Sequence, residues 1–262
     1  MNILPIQYST HSQTFRSYSK RVEDHDYPYY TTTEFFRSDL NWEDFVNYLD
    51  NEYKYANKVN IICHACSNGE EPYSLAILLK ERFQNKSEKF FPIIAKDLNF
   101  ENISLAKKGV YSLTSEDISG ICLHSNNKLN KYFDIIGADW RYYYAKAKNA
   151  VKDSVIFSCT DIRDDVDNIP PKNTVLLCRN FWPYLSSKDR KLLAQKLYKQ
   201  LDKSSMLVLG NFDMYGCVTD VLKQNGFVES EIFGIFRKKS TNKNTLTHTP
   251  FLKKVSHCLR KI

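Results

Sequence analysis

The sequence predicts an α/β fold, in which a mostly parallel sheet is flanked by helices. Short apolar runs of strand length alternate with longer runs of helical period through most of the chain. Hydrophobic residues make up 42% of the 262 residues, which is enough to bury one substantial core. A loop of small residues follows the first apolar run and leads directly into a helix, and such loops are where α/β sheets bind ligands.

The first helix is predicted to begin at about Asn41, because large apolar side chains then recur at helical spacing: Trp42, Phe45, Val46 and Leu49. A strand is predicted at about 59–63 and a helix at about 70–82. The apolar face of this second helix carries Leu75, Leu78, Leu79 and Phe83. A second strand is predicted at about 91–95, and the helix after it ends at Gly109, a residue that suits a helix C-terminus.

The stretch from about 126 to 152 interrupts this alternation. It is rich in Lys, Asn and aromatic residues without a dominant period, and it predicts a small antiparallel insertion. The alternation then resumes, with predicted strands at 155–157, 174–178, 206–209 and 232–237, a helix at 187–201, and a last helix that ends near 225–226.

Composition and charge divide the chain into three parts. Residues 1–30 form a polar arm without a clear period, and residues 31–238 form the predicted folded body. The segment from Arg237 onward holds eight Lys/Arg and no Asp or Glu, so the net charge of +7 lies mostly in a basic tail at 239–262. The near-neutral body argues against nucleic acid as a partner. The tail is predicted to be a solvated end, and the alternative is a tether to an acidic partner or a membrane surface.

No apolar stretch approaches the roughly 18 residues of a membrane span, and the seven cysteines are an odd number. We therefore expect a cytoplasmic protein with reduced thiols and no membrane insertion. Cys63 and Cys66 form a CxxC pair, but no second pair stands at zinc spacing, so no metal site is predicted. His64 is expected to be a packed histidine rather than a catalytic base.

The loop from Cys66 to Glu71 is the first candidate site. It lacks the glycine patterns of dinucleotide and phosphate loops, and Glu70 and Glu71 would repel a phosphate by roughly a kcal/mol or more. Two carboxylates would instead attract a positive centre, and Asp97, at the end of the next strand, can bind the two hydroxyls of a ribose. These features together describe S-adenosylmethionine. The alternatives need no ligand, because acidic residues favour a helix N-terminus and a strand-end Asp is often an N-cap.

The residues of this loop resemble a signature of the chemotaxis receptor (CheR-type) methyltransferases. The family motif is close to CSTGEEPYS, and residues 66–74 (CSNGEEPYS) differ from it at one position. Four further segments resemble family motifs in the same order: 33–37 (TEFFR), 95–98 (AKDL), 106–111 (AKKGVY), and 178–180 (CRN) with Tyr184. The similarity extends over residues 31–238, nearly the whole folded body.

This resemblance implies a Rossmann-like class I methyltransferase domain at 31–238, which transfers methyl groups from S-adenosylmethionine to glutamate carboxylates of a chemotaxis receptor. The implied partner is a protein substrate whose helical receptor segments bear the glutamates. The insertion at 126–152 corresponds to a small antiparallel subdomain that contacts the receptor in family members. A glutamate with a reference pKa of about 4.3 is already a nucleophile at pH 7, so the reaction needs no general base. This agrees with a sequence in which we find no catalytic triad.

The resemblance also implies roles for individual residues. Glu71 would hold the methionine ammonium and Asp97 the ribose hydroxyls, while Asp161 and Ile162 would lie against adenine. The methionine end of the cofactor would be surrounded by Thr33, Arg37 and Asn180. The remaining implied cofactor contacts are Ala65, Cys66, Leu98 and Phe181.

Arg37 and Tyr184 are the predicted catalytic residues, because the matching family positions lie nearest the transferring methyl. The planar guanidinium of Arg37 can hold an acceptor carboxylate with paired donors, and the Tyr184 hydroxyl can add one more. Without a role in a site, Arg37 would be a surface ion pair, Tyr184 a core aromatic, and Asp161 a loop cap.

The chain departs from the family pattern in places that bear on its substrate. The family usually carries a helical domain before the T-x-F-F-R motif, and only about 30 residues stand there in this sequence. Residues 210–213 read GNFD where the family tends to have G-x-S-E, and Phe181 and Pro183 stand where aliphatic residues are usual. Two alternatives therefore stay open: a methyltransferase for another acceptor, and a non-catalytic signalling scaffold that binds S-adenosylmethionine.

Overall fold

The computed structural model describes residues 33–214 and 217–239 of the chain. The predicted arm at 1–30, and all of the predicted basic tail except its first residue, lie outside the described residues. Within the two described ranges, no helix is both long enough and apolar enough to cross a membrane.

Strands and helices alternate along most of the described chain. The strands are β1 (Asn60–His64), β2 (Ile93–Asp97), β3 (Val110–Leu113), β4 (Phe133–Ala138), β5 (Tyr143–Ala147), β6 (Val155–Cys159), β7 (Thr174–Cys178), β8 (Met206–Val208), β9 (Phe227–Glu229) and β10 (Ile235–Lys238). The α-helices are α1 (Trp42–Glu52), α2 (Glu70–Phe83), α3 (Phe100–Lys108), α4 (Ser115–His124), α5 (Leu129–Tyr132), α6 (Asn149–Lys152), α7 (Ile162–Asp165), α8 (Ser187–Gln200) and α9 (Cys217–Gln224).

Seven strands form the central sheet, in the order β6-β2-β1-β7-β8-β10-β9. β1 lies between β2 and β7 and is parallel to both, and β6 and β8 continue the parallel pairing on either side. β10 pairs antiparallel with both β8 and β9. The predicted α/β class, a mostly parallel sheet flanked by helices, is confirmed.

A separate three-stranded antiparallel sheet, in the order β3-β5-β4, confirms the predicted small insertion. β4 and β5 come from the stretch at 126–152 predicted to form this insertion, and their register shifts between Ile135 and Gly137. β3 and α4 precede that stretch and were not predicted. β3 begins directly after Gly109, whose φ of 66° ends α3, so one glycine separates a helix from a strand.

Several strand boundaries differ from the prediction, and two of these differences have a local cause. β2 starts at Ile93 rather than at residue 91, because Pro92 has no amide hydrogen to donate to a neighbouring strand. The Ile93 amide is the first that does so, through a hydrogen bond to the Ser154 carbonyl. A single closing strand was predicted at 232–237. The structure has two strands in this region, the shorter β10 and, before it, β9. Gly234, with a φ of 79°, lies in the turn between β9 and β10.

Two apolar clusters, one on each face of the central sheet, hold the helices in place. Ile61 and Cys63 of β1 belong to one cluster and Ile62 to the other, as the two-residue period of a strand requires. Every residue of β7 is buried, because helices cover both of its faces. A fully buried large apolar side chain contributes roughly 1.5–3 kcal/mol, so these clusters dominate the stability of the fold.

Gly69 allows α2 to begin close to α3 and β6. It stands at the N-cap with a left-handed φ of 93°, a conformation that glycine adopts without strain. A β-carbon at this position would lie 3.0 Å from both Ala106 Cβ and Phe157 Cζ. The glycine therefore permits both the turn into α2 and its close contact with α3 and β6.

We predict that Gly69→Ala lowers the free energy of unfolding by about 1–3 kcal/mol. An alanine is strained at this left-handed φ, and its β-carbon would have no room beside Ala106 and Phe157. Gly137→Ala is the matched control, since the nearest atom to a β-carbon there, Tyr144 Cδ2, lies at 3.6 Å. This control should change the free energy by less than about 0.5 kcal/mol. Urea unfolding followed by circular dichroism measures both variants, and equal losses would contradict the assigned cause.

Candidate functional site

The predicted site residues lie at one edge of the central sheet, where the carboxyl ends of the parallel strands meet. Residues 65–69, here called the first loop, cross this edge from β1 to α2. Ala65 and Ser67 have left-handed φ values of 57° and 49°, so the loop turns sharply. The Cys66 amide donates a hydrogen bond of 3.1 Å to the Lys96 carbonyl, which holds the loop against the end of β2.

Asp97 ends β2 and ties the first loop to the start of α3. Its Oδ2 accepts a hydrogen bond of 2.7 Å from the Ser67 amide, and its Oδ1 accepts one of 2.9 Å from the Asn99 amide. Burial raises the pKa of Asp97, although these hydrogen bonds act in the opposite direction. The N-cap of α3 is Asn99 rather than Asp97. Asp97 Oδ1 also accepts a long hydrogen bond of 3.5 Å from Asn102 Nδ2, whereas Oδ2 can accept a second one. Asp97 Oδ2 therefore keeps acceptor capacity for a ribose hydroxyl.

Glu71 is already paired at the start of α2. Its Oε2 accepts a hydrogen bond of 2.5 Å from Nη1 of Arg179, the residue that follows β7. Burial raises the pKa of Glu71, and the positive charge of Arg179 offsets part of that rise. An ammonium group bound at Glu71 would therefore share the carboxylate with Arg179.

Glu70 is buried beside the segment that carries the TEFFR motif. It is 8% exposed and forms a side-chain hydrogen bond with Thr33. Its Oε2 has no hydrogen-bond partner within the described part of the chain. Burial raises the pKa of Glu70 to about 7. An ionised Glu70 would be stabilised by a positive charge nearby, which the predicted ligand carries.

The segment 33–37 packs against α2 and α4. The Phe35 amide donates to Asp117 Oδ1 and the Phe36 amide donates to Ser74 Oγ, each at 2.9 Å. Both phenylalanine rings are buried in the core. These contacts place Thr33 and Arg37, which flank the two rings, at the same edge as the first loop.

Asp39 connects the predicted methionine-end residues. Its carboxylate accepts hydrogen bonds from Arg179 Nη2 and from Asn180 Nδ2, the latter at 2.7 Å. Arg37 Nε lies 3.7 Å from Asp39 Oδ2. Asp39 and Arg179 are the site residues that the sequence analysis missed. A signal was available, because Arg179 directly follows the fully buried β7 and a charged side chain there needs a partner.

Tyr184 lies in a 3₁₀ turn after β7, and its ring centroid is 5.8 Å from that of Phe212, in the segment after β8. Asp213 fastens these two segments together. Its carboxylate accepts hydrogen bonds from the backbone amides of Asn180, Trp182 and Gly210. Burial raises the pKa of Asp213 to about 7, against the effect of those hydrogen bonds. The GNFD segment, which departs from the family pattern, thus frames the site.

The predicted adenine-side residues lie at the ends of β2 and β6. Asp161 caps α7 and forms an ion pair of 2.5 Å with Arg163. Burial alone would raise the pKa of Asp161, but the hydrogen bonds from Arg163 outweigh burial, so the pKa lies below its ordinary value. Ile162 is 6% exposed and belongs to a core cluster, whereas Leu98 is 49% exposed. Leu98 therefore offers the larger apolar surface at this end.

Cys63 and Cys66 are both buried free thiols. Burial raises the pKa of Cys66 well above its ordinary value, and the nearby carboxylates of Asp97, Glu71 and Glu70 raise it further. Cys66 is therefore a neutral thiol in an acidic environment. Among the described residues, no group of three or more His, Cys, Asp or Glu side chains is placed to hold a metal ion.

His64 is a packed residue at the end of β1, with 2% of its surface exposed. Its Nε2 lies 3.0 Å from Asp165 Oδ2, which also accepts a hydrogen bond of 2.6 Å from Lys96 Nζ. Burial alone would raise the pKa of Asp165, but the contacts with His64 and Lys96 outweigh burial, so the pKa is lowered to about 2. This cluster holds α7 against the ends of β1 and β2. Phe181, after β7, is partly exposed, and its ring centroid lies 5.7 Å from that of Trp182, with the two rings tilted by 38°.

The chemistry of these groups fits S-adenosylmethionine. Asp97 can accept hydroxyl hydrogens, and Glu70 and Glu71 can face positive centres. Four buried polar atoms around the site have no hydrogen-bond partner among the described residues: Ser67 Oγ, Asn68 Oδ1, Glu70 Oε2 and Arg179 Nε. A buried polar atom without a partner costs about 1–3 kcal/mol, so a polar ligand or water at this edge would be stabilising.

Comparison with known proteins bears on this site. The sequence model of the family described as CheR methyltransferase, SAM binding domain, matches residues 31–227. Chemotaxis protein methyltransferase 2 of Vibrio cholerae serotype O1 is 28% identical over 203 residues, which are 76% of this chain and 67% of that protein. The chemotaxis protein methyltransferase of Borreliella burgdorferi is 30% identical over 155 residues, 59% of this chain and 52% of that protein.

This chain thus spans between about half and two thirds of the length of those two relatives. Among solved structures, a TehB-like SAM-dependent methyltransferase from Corynebacterium glutamicum has a TM-score of 0.38 at 12% identity, with 76% of this chain and 98% of that chain covered. Similarity at that level is too weak to carry an argument. The family match covers well over half of the 262 residues, and the chain therefore belongs to the CheR methyltransferase family, with the matched region being that family's S-adenosylmethionine-binding domain.

Proposed function

We propose that this protein transfers methyl groups from S-adenosylmethionine to glutamate carboxylates of a chemotaxis receptor, as a protein-glutamate O-methyltransferase. The observation that carries this proposal is that motif residues far apart in the sequence gather at one sheet edge. Arg37 is linked through Asp39 and Arg179 to Glu71, and Asp97 is bonded to the loop that leads to Glu71. The two relatives named chemotaxis protein methyltransferases support the choice of acceptor.

In this proposal Asp97 accepts the ribose hydroxyls, and Glu71 accepts the methionine ammonium. The methionine end of the cofactor is bounded by Thr33, Arg37 and Asn180. Two observations support this placement: Thr33 forms a hydrogen bond with Glu70, and both Arg37 and Asn180 contact the Asp39 carboxylate. The remaining proposed cofactor contacts are Ala65, Cys66, Leu98, Asp161, Ile162 and Phe181.

Bound S-adenosylmethionine supplies an electrophilic methyl group on a positively charged sulfur. The contribution of the chain is orientation. An acceptor glutamate, with a reference pKa of about 4.3, arrives ionised at pH 7 and loses no proton. The Arg37 side chain, 33% exposed, can hold that carboxylate with paired donors, and the Tyr184 hydroxyl can donate to it. Holding the two reactants in line can supply roughly 7–11 kcal/mol of the barrier.

The proposed partner is a protein whose helical segments bear the methylated glutamates. The small antiparallel sheet supports a protein-facing role, because Ile136 in β4 is 57% exposed and Trp140, after it, is 92% exposed. A cytoplasmic location belongs to the proposal, since the six cysteines among the described residues are free thiols, as expected in a reducing compartment.

A methyltransferase for another acceptor is the second candidate. It is favoured by the aromatic surface at the predicted acceptor side, where Tyr184 packs near Phe212 and Phe212 is 46% exposed. Mass spectrometry of methylated products separates the two candidates. Methyl esters of glutamate are released by mild base, whereas methyl groups on nitrogen or ether oxygen are retained.

We predict that Asp97→Asn weakens binding of S-adenosylhomocysteine by roughly 10- to 100-fold, because an amide accepts hydroxyl hydrogen bonds less strongly than a carboxylate does. Glu101→Gln is the control, since Glu101 is exposed in the first turn of the neighbouring α3. It should bind within about twofold of the unaltered protein. Titration calorimetry measures both. If the unaltered protein binds neither this ligand nor S-adenosylmethionine at millimolar concentration, the proposed function is wrong.

We predict that Arg37→Ala lowers the rate of methyl transfer by at least about 100-fold, through loss of a paired, charged hydrogen bond to the acceptor. Cofactor affinity should stay within a few-fold. Arg82→Ala, at an exposed position in the last turn of α2 and at the opposite end of that helix from Glu71, is the matched loss of an arginine. Transfer of labelled methyl to receptor-bearing membranes, read as base-labile label, gives the rate. A large loss of cofactor affinity at unchanged rate would instead assign Arg37 to the cofactor alone.

A further inference from the structure

The helix α8 carries a basic face that none of the roles above uses. Residues 188, 191, 192, 195 and 199 are all exposed, and this spacing places them on one side of the helix. That side, here called the basic face of α8, holds Lys188, Lys191 and Lys199 and no acidic residue. The opposite side of the helix is buried in the core through Leu193, Ala194 and Leu197. At about 1.5 Å per residue, the row of lysines is roughly 17 Å long.

The basic tail leaves the folded body beside this face. Tyr198 follows Lys191 by two helical turns, so it lies along the flank of the basic face. Lys238 Nζ is 4.5 Å from the ring centroid of Tyr198. Lys239, the first residue of the tail, donates from its amide to the Gly226 carbonyl, and a β-carbon at Gly226 would lie 2.8 Å from the Tyr198 ring. The positive charge of α8 and that of the tail therefore begin side by side.

The surroundings of the basic face do not cancel its charge. On the flank toward α7, a cavity that Leu192 helps to line is bordered by three acids and two bases, Asp161, Asp164, Asp189, Arg163 and Lys196. One excess negative charge there is set against three lysines. On α9, which packs against α8, the exposed Asp220 and Lys223 offset each other. The surface as a whole stays positive.

The tail adds apolar residues at helical spacing to this charge. In residues 251–262 (FLKKVSHCLRKI), positions 251, 252, 255, 258, 259 and 262 are apolar and recur on one side of a 3.6-residue period. All four Lys/Arg of this segment fall on the other side, and it has no Asp or Glu. This is a pattern of the sequence, since the segment lies outside the described residues. A basic amphipathic pattern of this kind is typical of segments that bind at a membrane surface.

The apolar residues indicate the class of partner. Leu192, 47% exposed, stands among the lysines of α8, and the pattern at 251–262 likewise joins an apolar side to a basic one. A nucleic acid offers phosphates to lysines but no apolar phase. An anionic membrane offers both, because its headgroups attract the ammonium groups and the boundary of its acyl chains receives apolar side chains. We propose that the basic face of α8 and the segment 251–262 together bind this protein to an anionic membrane surface.

The two parts act as a pair. A single weak anchor gives only marginal, reversible membrane binding, whereas two signals on one chain give stable binding. The basic face supplies attraction over a surface that the fold holds rigid, and the tail, joined to the body beside it, supplies the apolar contact. This inference does not depend on the proposed function, because membrane binding requires neither the cofactor nor the methyl acceptor.

The test is co-sedimentation of the full chain with vesicles of phosphatidylcholine that contain roughly 30% phosphatidylserine. The unaltered protein should sediment with these vesicles at about 0.1 M salt, should lose most of that binding at about 1 M salt, and should not sediment with phosphatidylcholine alone. The triple variant Lys188→Gln, Lys191→Gln, Lys199→Gln should bind at least about tenfold more weakly, through loss of three charges at the surface.

A matched triple variant controls for net charge. Lys54→Gln, Lys86→Gln and Lys107→Gln remove the same charge from exposed positions on elements that pack against the opposite face of the central sheet. Binding of this control should stay within about threefold of the unaltered protein. In the tail, Leu252→Ser together with Leu259→Ser keeps every charge and should weaken binding roughly three- to thirtyfold. Circular dichroism establishes that each variant is folded.

Four outcomes would overturn the inference. Equal losses in the two lysine triples would mean that net charge acts without the basic face of α8. Unchanged binding of the leucine variant would remove the tail from the interaction. Equal sedimentation with phosphatidylcholine alone would exclude anionic headgroups as the attraction. A protein that binds polyglutamate or duplex DNA but no vesicles has an acidic protein or a nucleic acid as its partner. Because no cofactor is present in these measurements, each of these outcomes leaves the proposed function untouched.

Discussion

The guanidinium of Arg179 holds together parts of the chain that are far apart in sequence. It binds Glu71 at the start of α2 and Asp39 in the segment before α1, while Arg179 itself follows β7. Withdrawing such a charge from water costs several kcal/mol, and the two carboxylates offset that cost. Removing one partner from a buried ion pair typically costs about 3–5 kcal/mol, because the other charge is then left uncompensated. Arg37 and Asn180 are joined to this cluster through Asp39.

The acidic character of the site decides which ligand it can accept. In a phosphate loop, backbone amides point at the anion. Here the Ser67 amide donates instead to the protein's own Asp97, so the loop offers a carboxylate where a phosphate site would offer an N–H group. Glu70, whose pKa is raised to about 7 by burial, adds to the preference for a positive ligand. Electrostatics, more than shape, therefore separates this site from a nucleotide site.

The segments around the predicted acceptor side are held by buried hydrogen bonds. Asp213 binds three backbone amides and joins the segments that carry Asn180 and Phe212. The proposed reaction requires little else of the protein, because a carboxylate acceptor needs no base and a thioether leaves without a proton. A site whose main task is alignment is well served by side chains that are locked by buried hydrogen bonds.

Much of the fold was predictable from the sequence, and the reasons are local. The strand at 174–178 was predicted with the bounds that β7 has, because a fully buried strand is a continuous apolar run. The short β3 and β9 were not predicted, since three or four residues carry too little periodicity to be recognised. The acidic loop and Asp97 were singled out because they follow predicted strands, and the topology of a parallel sheet brings strand ends to one edge.

What the sequence by itself determined was the alternation of the longer strands and helices, the acidic first loop and the family motifs. Only the tertiary structure decided how those residues are paired. Asp39 and Arg179 are 140 positions apart, and Glu71 and Arg179 are 108 apart, so no local pattern links them. Periodicity records interactions between near neighbours along the chain, whereas an ion pair in a buried site is settled by which side chains the packed core leaves face to face.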